Sequence, residues 1–205
     1  MTLIDPHFFI TPEGWCNDIA RSPCENFDAR PELTVIDLLV IHNISLPPEE
    51  YGGSYIEDLF ANRLDCDSHP YFEKLRDLKV SAHFLIKRDG NAHQFVATQD
   101  RAWHAGASEF KGRERCNDYS IGIELEGSDF EKFTDQQYQL LAKLTAALVV
   151  GHALTDVRGH QHIAPGRKTD PGPFFDWQRY QREFNNLLEN DISFMKLPAK
   201  LTFPD

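Results

Sequence analysis

The chain has 205 residues, a formal net charge of -11 at pH 7 and a hydrophobic share of 41%. This length and apolar content are typical of one globular domain with a sizeable core, and they exclude a disordered chain. The acidic balance argues against nucleic acid and against an anionic membrane surface as partners, because phosphate groups bind to basic faces. No segment of the sequence approaches the length of a transmembrane helix.

The cysteines and the first residues bear on the cellular location. The N-terminus has neither the basic nor the apolar segment of a secretory signal peptide. Cys16, Cys24, Cys66 and Cys116 are scattered, without a CxxC pair. An even count permits disulfides in an oxidising compartment, but without an export signal we expect free thiols and a cytoplasmic protein.

The first third of the chain predicts a central strand between irregular segments. Residues 1–33 are polar and predict an irregular N-terminal arm. Residues 35–41 are almost all apolar and rich in β-branched side chains, which is typical of a strand buried on both faces. A loop rich in Pro and Gly follows, and the spacing of Ile56, Leu59 and Phe60 then predicts a short helix.

The middle of the chain predicts a hairpin, a long loop and a strand. Residues 80–86 and 92–96 flank an Asp-Gly pair, which is a hairpin signal. Residues 97–118 are interpreted as a loop, and loops of that length in compact domains are often functional. Residues 120–127 alternate apolar residues with small or acidic ones, which predicts another strand.

Two amphipathic helices are predicted in the last third. Thr134 and Gln137 form a capping box, and the apolar stripe after them continues to Gly151. Asp176 is expected to cap a second helix. Residues 191–205 have a weak pattern and predict a C-terminal tail. The sequence thus predicts a single α/β domain over residues 1–190, a central mixed β-sheet flanked by helices.

Residues 159–173 combine histidine, lysine and aspartate in a segment too rich in Pro and Gly to favour a helix or a strand. With His42, at the end of the predicted central strand, His160 and Asp170 are suitable ligands for a catalytic zinc ion that keeps a fourth position open for water. Pro171 favours an extended Asp170, whose carboxylate then projects. The alternatives are a hydrogen-bonded core histidine at position 42 and a turn-forming aspartate.

His162 competes with His160 for the role of ligand. The two residues are separated by one position, and we expect only one of the two rings to reach the metal. His69, His83, His93 and His104 are interpreted as structural or surface residues.

Glu124 and Glu126 share a face of their predicted strand. We expect Glu126 to lie on a solvent-exposed face of the strand. Glu124 lies between two apolar residues, and a partly desolvated glutamate there can take a proton from water and pass it to a leaving amine. Lys168 is either a surface lysine or, beside the ligands, a partner for the oxyanion of a tetrahedral intermediate.

The predicted loop over residues 97–118 offers two kinds of ligand contact. Trp103 is either a core aromatic residue or a platform for a sugar ring. Lys111, Arg113 and Arg115 form a basic cluster that is either solvated or binds a carboxylate of the ligand. The sequence has no HExxH, P-loop, GxSxG or GxGxxG motif, which removes several common enzyme classes.

Several of these motifs together resemble the AmpD family of cytoplasmic 1,6-anhydro-N-acetylmuramoyl-L-alanine amidases of peptidoglycan recycling. The resemblance covers roughly residues 15–188, and its motifs are residues 39–48, 80–83, 101–106, 112–118, 120–127 and 159–173. It implies the zinc amidase fold shared with peptidoglycan-recognition proteins. Lys79 departs from the arginine usual before the VSAH motif, which weakens bidentate ligand binding there.

The resemblance also implies roles for individual residues. It assigns zinc to His42, His160 and Asp170, catalysis to Glu124 and Lys168, and an anhydro-muropeptide substrate to Asn43, Trp103 and Arg115. The leading hypothesis is a zinc amidase that cuts the bond between anhydro-muramic acid and L-alanine. The alternatives are a non-catalytic muropeptide-binding module and an exported amidase acting on intact peptidoglycan.

Overall fold

The computed structural model describes residues 8–190 and 201–204, and ten strands and four α-helices lie within them. The strands are β1 (Ala20–Arg21), β2 (Phe27–Asp28), β3 (Leu38–Ile44), β4 (Phe84–Ile86), β5 (Ala92–Gln94), β6 (Arg101–Ala102), β7 (Glu109–Phe110), β8 (Arg113–Glu114), β9 (Ser120–Glu126) and β10 (Asp156–Gly159). The helices are α1 (Tyr55–Phe60), α2 (Asp135–Gly151), α3 (His160–Ile163) and α4 (Trp177–Asn190), and two 3-10 turns cover Pro70–Leu75 and Cys116–Asp118.

Six strands form one mixed sheet in the order β1-β5-β4-β9-β3-β10. β10, β3, β9 and β4 run parallel to one another, whereas β5 pairs antiparallel with β4 and parallel with β1. The predicted α/β fold with a central mixed sheet flanked by helices is therefore confirmed. No helix of the described residues has both the length and the apolar character needed to cross a bilayer.

The side-chain alternation of the two central strands separates the core from the other face. Leu39 and Ile41 of β3 and Ile123 of β9 lie in the large apolar cluster that also contains the buried residues of α2 and α4. Leu38 and Val40 lie in a separate cluster with Ala105, Cys116, Tyr119 and Ile163. Because successive side chains of a strand point to opposite faces, His42 and Glu124 belong to the face away from α2 and α4.

The predicted elements appear with small shifts. The hairpin of β4 and β5 is confirmed, and α1 and α2 are present at the predicted places, α2 with its capping box. Asp176 accepts a hydrogen bond from the Arg179 N–H at 2.8 Å and so caps α4. The central strand begins at Leu38 instead of residue 35, because its partner β9 begins opposite Leu38.

Two segments are more ordered than the sequence predicts. The arm over residues 1–33 is not irregular throughout, because β1 joins the edge of the sheet and β2 pairs with β6. The expected loop over residues 97–118 contains β6, a β7–β8 hairpin and a 3-10 turn. Pairs this short carry little periodic signal, and the partners of β1 and β2 lie far away in the chain.

The end of the predicted tail lies against the domain. Thr202 forms a parallel bridge with Asp156, and Phe203 packs edge-on against Tyr180 at 5.1 Å between ring centroids. Leu201 is buried in the large cluster. The rest of the predicted tail, residues 191–200 and 205, lies outside the described residues.

The capping box of α2 should be measurable in the stability of the whole domain. Thr134→Ala removes the oxygen that accepts from the Gln137 N–H at 3.2 Å, and we expect the free energy of unfolding in urea to fall by about 0.5–2 kcal/mol. Ser54→Ala is the matched control, since Ser54 precedes α1 without capping its backbone. Equal losses in the two variants would contradict a stabilising cap at Thr134.

Candidate metal centre and active-site cleft

The candidate site lies where neighbouring parallel strands end. The register places His42 of β3 opposite Glu124 of β9. His160 directly follows Gly159, which ends β10 beside Ile41. The carboxyl ends of parallel strands open at one edge of a sheet, where ligands commonly bind in α/β proteins.

The three predicted ligand residues converge on one point. His42 Nδ1 lies 3.1 Å from His160 Nδ1 and 2.9 Å from Asp170 Oδ2, and His160 Nδ1 lies 3.1 Å from the same carboxylate oxygen. A tetrahedral zinc ion with ligand bonds of about 2.0–2.1 Å separates its ligand atoms by about 3.3 Å. The three atoms therefore have the spacing of one face of a tetrahedral metal site.

The backbone brings Asp170 back to the strand ends. After α3, the chain turns through residues 164–169, and the Gln161 N–H donates to the Asp170 carbonyl at 2.9 Å. This bond ties the end of the turn to its beginning. The predicted absence of helix in residues 159–173 is wrong at its start, because His160–Ile163 forms one helical turn.

The hydrogen bonds of His160 leave an electron pair facing the cluster. Its Nε2–H donates to the Ala105 carbonyl at 2.9 Å. A carbonyl only accepts, so in the neutral ring the other nitrogen, Nδ1, carries a lone pair. A neutral imidazole with one nitrogen donating to a carbonyl and the other free is the usual form of a metal-binding histidine.

The electrostatics of the cluster favour a neutral ring at His42 beside the carboxylate of Asp170. Burial lowers the pKa of His42 to about 4, although Asp170 acts in the opposite direction. Burial would raise the pKa of Asp170, but its contacts with His160 and His42 outweigh burial and lower it. Two imidazoles with available lone pairs and one carboxylate fit a zinc ion in ligand type, number and spacing.

Glu124 lies in the wall of the cluster with one free oxygen. Its side chain is buried, and its Oε2 atom has no hydrogen-bond partner. Burial raises the pKa of Glu124 well above its usual value, the Asp170 carboxylate raises it further, and Lys168 lowers it. An unpartnered buried carboxyl oxygen is costly unless it serves a ligand or a reaction.

An open cleft of about 460 Å³ lies over the cluster. Its lining includes all three candidate ligands, both candidate catalytic residues, Glu124 and Lys168, and the predicted contacts Asn43 and Trp103. Asn43 donates to Asp129 Oδ1 at 2.8 Å, and the indole N–H of Trp103 donates to Asp28 Oδ1 at 3.2 Å. These bonds hold both side chains in fixed orientations along the cleft.

Arg115 is the predicted site residue that the structure does not bring to the cleft. Its exposed side chain pairs with Asp118 at 3.2 Å, and it lines a separate depression together with Arg167. Its backbone is in the left-handed region, with φ of 58°. The separation along the chain alone does not reveal such a turn.

Two predictions about neighbouring residues need correction. Glu126 is buried instead of solvated, because its Oε1 accepts from the Gly52 N–H at 2.6 Å and its Oε2 from the Arg88 N–H at 3.0 Å. His162 is absent from the cluster, as expected, but for another reason. It lies on a helical turn, where its Nδ1 accepts from the Gly159 N–H at 2.8 Å.

His104 lies beside the cluster, which the sequence pattern did not indicate. Its Nδ1 lies 2.9 Å from His42 Nε2, and its Nε2 lies 3.2 Å from Ser120 Oγ. A Cβ atom on Gly122 would lie 2.5 Å from the Cγ of His104. A glycine inside a predicted strand indicates such a close approach, but it does not name the group that approaches.

Arg30 was missed as well, and it holds the segments around the cluster together. Its guanidinium donates to the carbonyls of Asn117, Asp118, Thr98 and Ser120 at 2.8–3.2 Å. Burial lowers the pKa of Arg30 to about 10. It lies in a polar arm without periodicity, so the sequence carried no signal for this role.

The fold and the site define a class of protein, an α/β domain with a cluster of three potential metal ligands under an open cleft. The chain belongs to the N-acetylmuramoyl-L-alanine amidase family, whose profile matches residues 32–173. It is 53% identical over 171 residues to the 1,6-anhydro-N-acetylmuramyl-L-alanine amidase AmpD of Salmonella typhimurium, covering 82% of this chain and 91% of that protein. It is 52% identical to AmpD of Escherichia coli, with 82% and 93% covered.

Solved structures agree with this assignment. A crystal structure of a selenomethionine derivative of AmpD is 51% identical, with a TM-score of 0.83 over 85% of this chain and 99% of that chain. The amidase AmiD of Escherichia coli, solved with anhydro-N-acetylmuramic acid-L-Ala-D-γ-Glu-L-Lys, is 28% identical, with a TM-score of 0.54 over 86% of this chain and 65% of that chain. A Drosophila peptidoglycan-recognition protein, at 19% identity and a TM-score of 0.51 over 82% of this chain and 88% of that chain, shares the fold.

Glu126 should be a stability residue and not a solvated one. Glu126→Gln leaves one acceptor oxygen for two backbone N–H groups, and we expect the free energy of unfolding to fall by about 1.5–3 kcal/mol. Glu131→Gln is the control, since its exposed carboxylate pairs with Arg88 at 3.0 Å and should cost about 0–1 kcal/mol. Urea denaturation of both variants measures the two free energies of unfolding. Equal small losses in both variants would contradict the structural role of Glu126.

Proposed function

We propose that this protein is a zinc-dependent amidase that hydrolyses the amide bond between 1,6-anhydro-N-acetylmuramic acid and L-alanine in peptidoglycan fragments, as part of cell-wall recycling. The observation that carries the proposal is the convergence of His42, His160 and Asp170 at the floor of the cleft, beside the unpartnered oxygen of Glu124. The relatives at 52–53% identity are named 1,6-anhydro-N-acetylmuramyl-L-alanine amidases, which supports the proposed substrate. The family resemblance implies a cytoplasmic location for this activity.

The ligand residues would hold the zinc ion through Nδ1 of both histidines and the carboxylate of Asp170. Bound there, zinc supplies Lewis acidity, which polarises a carbonyl group and lowers the pKa of water. Both ring nitrogens opposite the cluster have partners, so the chain orients the imidazoles before the ion binds. Such second partners raise ligand basicity and fix the tautomer.

Glu124 is the proton carrier in this proposal. An amide is hydrolysed when water attacks the carbonyl carbon and the leaving amine takes up a proton, so one group must accept and then return a proton. Glu124 has a buried, unpartnered oxygen, and its carboxyl group has a raised pKa. A carboxyl group of this kind suits both halves of the transfer.

Lys168 stabilises negative charge in this proposal. Its side chain is exposed and lines the cleft, and its charge acts on both Glu124 and His42. The carbonyl oxygen of the substrate becomes an oxyanion when water attacks. An ammonium group beside that oxygen lowers the energy of the charged state.

Asn43 and Trp103, which both line the cleft, are proposed to bind the substrate. The amide of Asn43 offers polar contacts to the lactyl or peptide groups, and the indole of Trp103 offers a flat face to the sugar ring. Arg115, which lies outside the cleft, is proposed as a more distant contact; together with the larger effect of Arg101, its charge lowers the pKa of Asp28, the partner of Trp103.

The substrate is tested by incubating the purified protein with anhydro-muropeptide and with polymeric peptidoglycan, and measuring released peptide by mass spectrometry. We expect rapid release from the anhydro-muropeptide and little from the polymer. Rapid release from the polymer would instead favour an amidase of intact cell wall. Tight binding of the fragment without release would favour a non-catalytic binding module.

Two variants should distinguish the loss of metal binding from the loss of proton transfer. We expect Asp170→Ala to lose both zinc and turnover, because it removes one of three ligands. Glu124→Gln should keep its zinc and lose about 10²–10⁴-fold in turnover, since the amide cannot carry the proton. Zinc content by plasma mass spectrometry and peptide release measure the two effects; full turnover in Glu124→Gln would refute its role.

A further inference from the structure

The two histidines of the cluster are held by consecutive residues of one segment. The Nε2 atom of His42 contacts the ring of His104, and the Nε2 atom of His160 contacts the carbonyl of Ala105. His42 and His160 lie on different elements, 118 residues apart. One short piece of chain therefore touches the far side of both rings.

The contact of His160 allows one arrangement of protons. The carbonyl oxygen of Ala105, at 2.9 Å, accepts and does not donate. The proton of the neutral ring is therefore on Nε2, and Nδ1 faces the cluster with its lone pair. In its neutral form this histidine therefore has the tautomer that suits metal binding through Nδ1.

The contact of His42 allows two arrangements, because its partner is another imidazole. If the Nδ1 atom of His104 accepts, His42 carries its proton on Nε2 and presents the lone pair of Nδ1 to the cluster. If His104 donates instead, His42 must carry its proton on Nδ1 and cannot bind a metal there. The contact of His104 Nε2 with the Ser120 hydroxyl, at 3.2 Å, permits either direction.

The position of His104 is fixed on two sides. Its ring occupies the space above Gly122, where a Cβ atom would come within 2.5 Å of Cγ. The side-chain oxygen of Asn117 accepts from the N–H groups of both His104 and Ala105, at 3.1 and 2.8 Å. Asn117 thus anchors the residues that contact both histidines of the cluster.

We propose that His104 and Ala105, anchored by Asn117, form an orienting segment that fixes the ring positions of His42 and His160 for metal binding. In this proposal the Ala105 carbonyl selects the Nε2–H tautomer of His160, and His104 Nδ1 accepts from the same tautomer of His42. The proposal rests on the proposed zinc function, because it assigns what these residues do for a bound ion. His104 and Asn117 are positioning residues and do not touch the substrate. Loss of such partners typically costs about 10–100-fold in metal affinity.

The test compares zinc affinities, measured by competition with a chromophoric chelator. We expect His104→Leu to weaken zinc binding about 10–100-fold, and His104→Asn to restore much of it, because the amide oxygen can accept near the position of Nδ1. The control is His152→Leu. His152 is also partly buried and lies 2.8 Å from Thr98 Oγ1, so this variant removes a similar imidazole from another part of the domain.

A spectroscopic measurement separates positioning from general loss of stability. The visible absorption of the cobalt-substituted protein reports the geometry of the metal site, and we expect it to change in His104→Leu but not in His152→Leu. Thermal unfolding of the metal-free proteins shows whether both variants lose similar stability. Zinc affinity and cobalt spectrum unchanged in His104→Leu, or changed equally in His152→Leu, would overturn the proposal.

A second pair of variants keeps the test valid if His104→Leu does not fold. Asn117→Asp retains an oxygen for both N–H groups and should bind zinc nearly as the parent protein does, whereas Asn117→Ala should bind it about 10-fold more weakly. Equal affinities in the two variants would overturn the role of Asn117. A parent protein that binds zinc but cleaves no muropeptide would refute the proposed function and leave this comparison intact.

Discussion

Three atoms with electron pairs, two imidazole nitrogens and a carboxylate oxygen, lie 2.9–3.1 Å apart at the ends of parallel strands. Such a group repels itself unless a proton or a cation lies among its members. The rest of the site depends on this constraint. The strands bring the atoms together, the orienting segment holds the rings, and Glu124 lies opposite His42 in the sheet register.

Because side chains alternate between the two faces of the sheet, the same strands can contribute to an apolar core on one face and to a polar site on the other. The side chains of β3 and β9 that point one way pack against α2 and α4, and those that point the other way supply His42, Gly122 and Glu124. Seven-residue strands thus serve both purposes. The absent side chain of Gly122 is as important as the others, since it makes room for His104.

Local signals in the sequence were sufficient for the two central strands, for the β4–β5 hairpin, for the helices α1, α2 and α4, and for the three residues that converge at the cluster. The capping box located α2, the Asp-Gly pair located the hairpin, and the histidines and aspartate that were expected to meet do meet. Local signals failed for Glu126, because its two backbone partners belong to loops 38 and 74 residues away. They failed for His104 and Arg30 for the same reason.

The sequence by itself determined which residue types are available: a histidine at the end of an apolar strand, a second one ten residues before an aspartate, and a glutamate in a later predicted strand. The tertiary structure alone decided which nitrogen of each ring faces the cluster, that Arg115 lies outside the cleft, and that one segment contacts both histidines. The reason is physical. Composition and spacing follow from covalent order, whereas tautomers and side-chain partners depend on contacts between residues distant in the chain.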